Sequence, residues 1–105
     1  MTAYIVRKGA QKKKEIFKKR EAELLHQISS QASLEKITKA AERLRTAQKA
    51  VIKCLFHETE AVKPEDEKMF AARWQQLEQD REYWEDVSTA EIIDQYAKEI
   101  QQSEP

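Results

Sequence analysis

The sequence predicts an all-α chain, and three observations carry that expectation. Glycine occurs once and proline twice in 105 residues, which excludes turn-rich β-sandwiches and barrels. Apolar residues recur at alternating three- and four-residue steps, the spacing of one helix face. Capping residues stand where those runs begin. The expected architecture is an up-down helical bundle or an extended helical hairpin, with three long helices and a short C-terminal one.

Each element follows from its residues. Residues 1–9 are expected to be a poorly ordered segment, because Tyr4-Ile5-Val6 is β-prone and a lone short strand has no partner. A helix is expected from about Ala10 to Gln31, after the single glycine, Gly9. Its Phe17, Leu24 and Ile28 fall near one line at ~100° per residue, with Leu25 beside them. Ser33 then offers a hydroxyl to the free amides of the next helix. That second helix, Leu34 to about Thr59, is the most regular. Leu34, Ile37, Ala41, Leu44, Val51 and Leu55 form a seam interrupted by Gln48, and Ile52 and Phe56 widen it. The spacing is that of a helix packing at a shallow angle, as in a coiled coil. Pro64 suits a first helical position, where its missing N–H costs nothing, and Glu65, Asp66 and Glu67 favour the positive end of the helix dipole. Phe70, Trp74, Leu77, Arg81 and Trp84 continue the three-four spacing. Ser88-Thr89-Ala90-Glu91 reads as a capping box opening a last helix that carries Ile92, Ile93, Tyr96 and Ile100. Residues 10–102 make one domain, and 103–105 a frayed tail.

A formal net charge of zero hides an asymmetry: residues 1–53 carry a net of +9 and residues 54–105 a net of −9. Arg7, Lys8, Lys12, Lys13, Lys14, Lys18, Lys19 and Arg20 face a single acid, Glu15, within the first 20 positions. These cations spread around nearly the whole helix circumference, so the basic helix is expected to project. A projecting basic helix can follow a nucleic acid backbone, with low sequence specificity because lysine predominates over arginine. The alternative is that the acidic half neutralises the basic half within the molecule or across an oligomer. Membrane attachment is disfavoured, since Ile16 and Phe17 give only a small apolar face. No apolar run approaches the roughly 20 residues a membrane helix needs.

The second candidate surface is aromatic. Trp74 and Trp84 share a stripe that spacing assigns first to the core, while Tyr83 points away from it; the three are the candidate partner-binding residues. No catalytic constellation is evident. Glu23 and His26 have the spacing of a di-iron motif but lack a second copy, and Cys54 with His57 supplies two of the four ligands a structural zinc wants. No metal, cofactor or small-molecule substrate is predicted. The single cysteine allows no internal disulfide, and the early turn to basic residues argues against a signal peptide, so a reducing, cytoplasmic setting is expected. The expected function is that of a non-catalytic protein-interaction module or adaptor that also self-associates. The alternative is a nucleic-acid-binding accessory protein acting through the basic arm.

Overall fold

The computed structural model describes the backbone of residues 2–62 and 67–103, and the side chains of 8–60 and 67–102. The described residues contain four helices and no strand: α1 (Thr2–Ser29), α2 (Leu34–Val62), α3 (Glu67–Asp86) and α4 (Thr89–Ser103). The expected start at Pro64, with Glu65 and Asp66, lies outside the described residues, as do the Arg7 side chain and positions 104–105 of the tail. α1 begins at Thr2, ahead of the expected Ala10, and runs through Gly9. The β-branched pair Ile5-Val6 lowers helix propensity only slightly, and a glycine weakens a helix by about 1 kcal/mol without forbidding it.

The connection between α1 and α2 is fixed by backbone geometry. The Ala32 N–H donates to the Gln27 carbonyl at 3.0 Å and the Gln31 N–H to the Ile28 carbonyl at 3.1 Å. These are the paired bonds of a Schellman ending, and Gln31 takes the left-handed conformation it requires, with φ of 57°. Ser33 then caps α2, its Oγ accepting from the Lys36 N–H at 3.4 Å. Ser88 does the same for α4, accepting from the Glu91 N–H at 3.2 Å.

α1, α2 and α4 enclose the main core. Leu24, Leu44 and Ile92 are its largest fully buried side chains, joined by Ala40, Ala41, Val87 and Tyr96. Alanines on α2 allow close approach, and α2 packs extensively against α1. The expected seam of α2 is corrected at its edges. Leu34, at the first position of the helix, is 75% exposed, while Ala40 and Ala47 are buried beside the predicted line and Ile52 is buried as expected. The reason is that α2 packs against α1, α3 and α4 together, so its buried arc is wider than one seam.

α3 packs on α2 and is thinly covered: Leu77 is the one buried residue among its described side chains. Phe70, Trp74 and Trp84, assigned to the core by spacing, are only half-buried. The α3–α4 corner is pinned from α2. Arg45 donates a guanidinium N–H to the Val87 carbonyl, and its own Nε is buried without a hydrogen-bond partner. A second long-range bond ties α4 to α1, where the Tyr96 hydroxyl donates to Glu21 Oε2 at 2.5 Å.

Candidate functional site: a basic open face across α1, α2 and α3

Because α1 and α3 flank α2 and α4 covers its inner arc, one ridge of α2 is left facing outward. Lys39, Arg43, Thr46, Ala50, Lys53 and His57 recur at three- and four-residue steps along it, and all but Ala50 are exposed. A shallow groove runs on each side of the ridge, and Ala50 lines both.

The groove toward α1 has a volume of about 460 Å³. Lys13, Ile16 and Arg20 of α1 face Lys39, Glu42 and Arg43 of α2 across it. Ile16 is 42% exposed, an apolar side chain left open among cations. Arg20 is engaged by Glu23 at 3.1 Å and Lys39 by Glu35 at 3.3 Å, both exposed enough to remain solvated.

The groove toward α3 has a volume of about 530 Å³ and a more apolar floor, built by Ile52, Phe56 and Trp74. The Phe56 and Trp74 rings meet edge to face, with centroids 4.8 Å apart and planes at 74°. Phe70 stacks on Trp74 at 5.6 Å. The Arg81 guanidinium lies 5.0 Å from the Phe56 ring centroid, a cation–π placement. Lys49, Lys53 and Glu85 complete the rim. The Trp74 indole N–H donates to Glu78 at 2.9 Å, which fixes the ring.

The placement of α1 differs from the projecting helix that its charge suggests. It is held through small and apolar residues on a narrow line: Ala10 is buried, and Phe17 packs against the core. The lysines turn outward from that line. Lys8, Lys12, Lys13, Lys14, Lys18 and Lys19 are exposed, and none pairs with a carboxylate among the described residues. The described ion pairs are Arg20–Glu23, Lys39–Glu35 and Lys98–Asp94, each within one helix at a spacing of three or four. No described ion pair joins the acidic half to the basic half.

The aromatic candidates are not gathered in one place. Trp74 lines the α2–α3 groove, whereas Trp84 packs against the main core. Tyr83 meets Trp84 edge to face at 5.6 Å and accepts a hydrogen bond from Gln95 Nε2 at 2.6 Å. Its surroundings, Glu82, Asp86 and Glu91, are acidic. The α2 cations Lys39, Arg43, Lys49 and Lys53 were not among the expected site residues. Their spacing opposite the seam was the available signal, but its meaning depended on which arc of α2 the other helices left open.

The titratable group most perturbed is Tyr96, which is structural. Burial first, and then the hydrogen bond and charge of Glu21, push its hydroxyl well above the usual phenol value. Cys54 is half-buried and unbridged, and no group of three or more His, Cys, Asp or Glu residues is arranged to hold a metal among the described residues. No described helix is long and apolar enough to cross a membrane. The two grooves together present exposed cations around an apolar strip. The chain matches no protein-family model, no curated protein and no solved structure.

Proposed function

We propose that this chain is a small non-catalytic interaction module, and that the open face of α1, α2 and α3 docks an acidic segment of a protein partner. The reading takes the four helices as an up-down bundle working in a reducing, intracellular compartment. The observation that carries it is the pairing of unanswered cations with apolar floor. Lys13, Arg43, Lys49, Lys53 and Arg81 border the two grooves without a carboxylate partner among the described residues, around Ile16, Ile52, Phe56 and Trp74. Duplex backbones are contacted through charge and hydrogen bonds and make no use of such a floor, whereas interfaces between proteins draw on aromatic anchors within a polar rim.

The second reading, a nucleic-acid accessory protein, is favoured by a different observation. The exposed cations of α1 are lysines on several sides of the helix, a distribution suited to phosphate contacts without base readout. Fluorescence anisotropy against a labelled acidic peptide, a random duplex and a single strand, at low and near-physiological salt, separates the two. The protein-partner reading expects the peptide to bind and to persist at the higher salt. A preference for duplex with a steep log–log salt slope, near about −5, would move the assignment to nucleic acid. Absence of binding to all three would refute the basic-face reading. Light scattering of the free chain tests the accompanying expectation of self-association.

A further inference from the structure

Within that reading, on which this step rests, we propose that the groove between α2 and α3 is the seat of an acidic amphipathic helix contributed by the partner. Its apolar residues would cover Phe56 and Trp74, and a carboxylate would meet Arg81. Three observations point to a helix rather than an extended acidic tail. The first is the missing cover. α1, α2 and α4 close a core among themselves, but α3 contributes one buried residue and presents half-buried aromatics on its α2 side. A third helix laid in that groove completes a second three-helix arrangement about α2.

The second is dimension. The groove wall on α2 runs from Lys49 to His57, about 12 Å at ~1.5 Å per residue, or roughly two turns. That length accommodates apolar anchors at i and i+4 of a docked helix, the usual means by which helices are read in grooves. The third is preorganised charge. Lys49, Lys53 and Arg81 stand on the rim against one lining carboxylate, Glu85. Arg81 is held over Phe56 and has no carboxylate partner among the described residues, so its N–H edges are available to an incoming acid.

The test uses two fluorescein-labelled peptides of one Leu, Ala and Glu composition. One places the leucines on a single helical face, and the other scrambles them. The full chain is titrated with each, and the two Trp indole N–H signals are followed by NMR. The proposal expects the amphipathic peptide to bind at least about tenfold more tightly than the scrambled one. It expects the Trp74 indole signal to move, with that of Trp84 nearly still. Arg81→Glu, at an exposed position whose folding is checked by circular dichroism, should weaken binding by ~30-fold, the scale of an interface hot spot. Lys18→Glu on the outer side of α1 should change it much less.

Equal binding of the two peptides, or binding indifferent to Arg81→Glu, overturns the groove proposal while leaving the basic-face reading in place. Failure of both peptides with retained duplex binding overturns both the proposal and the protein-partner reading. If neither peptide nor nucleic acid binds, the whole assignment of the face falls.

Discussion

Replacing Tyr96 with phenylalanine isolates the bond that ties the last helix to the first. The ring is 9% exposed and the substitution keeps it, so the change removes the hydroxyl and its 2.5 Å bond to Glu21. Hydrogen bonds to charged groups contribute about 1.5–3 kcal/mol. Glu21 is partly exposed and can recover water, which places the expected loss at the lower end, about 1.5–2 kcal/mol. For a chain of this size that lowers Tm by on the order of 10 °C. The pH dependence is the sharper part. The folded-state pKa of Tyr96 is raised above the value near 10 that it has when unfolded. Stability from this group is therefore fully present below pH ~10 and falls as pH rises above it, at up to about 1.4 kcal/mol per pH unit. Urea melts of both proteins at pH 7, 9, 10 and 11 should show a difference that is constant up to pH 9 and then narrows. No difference at pH 7, or one that widens above pH 10, would refute the reasoning.

Other substitutions probe different links of the chain. Leu44→Ala, at a fully buried position between three helices, should cost about 3 kcal/mol, within the range for such cavities, measured by urea denaturation. Gln31→Gly and Gly9→Ala are opposite exchanges that should both stabilise by roughly 0.5–1 kcal/mol. The first relieves a left-handed φ, and the second adds a Cβ where nothing lies within 4 Å. Converting Lys12, Lys13, Lys14, Lys18 and Lys19 together to Gln should shift Tm by only a few degrees, because none of them pairs with a carboxylate among the described residues. A large loss in that variant would show that the acidic half does answer these lysines.

The helices were legible because their signals are local. Ser33 and Ser88 mark two starts by side-chain chemistry alone, and both accept the predicted amide. The spacing of Leu24 with Ile28, or of Ala41 with Leu44, names a face without reference to any other helix. What the sequence does not carry is the number of neighbours each face meets. Periodicity ranks Trp74 with the core, but α3 packs on α2 and has no further helix among the described residues to bury the ring. The same ignorance hid the basic face of α2. Lys39, Arg43 and Lys53 look like an ordinary solvated stripe until α1 and α3 are seen to flank it and turn it into the ridge between two grooves. The start of α1 failed for another reason: a glycine in the sequence looks like a boundary, yet its helical penalty is small enough for neighbouring turns to override.

The confinement of every described ion pair to a single helix also governs how the molecules meet one another. The chain has no formal net charge and a pI near 6.7, so at neutral pH there is almost no monopole to keep copies apart. No described ion pair joins the basic half to the acidic half of a body 48 × 28 × 25 Å, long against a Debye length of ~10 Å at 0.1 M salt. Such a particle should behave as a large dipole rather than a neutral sphere. In dilute buffer the basic face of one copy should attract the acidic α3–α4 side of the next, and turbidity should be greatest there. Added salt disperses these contacts, so solubility should rise with ionic strength.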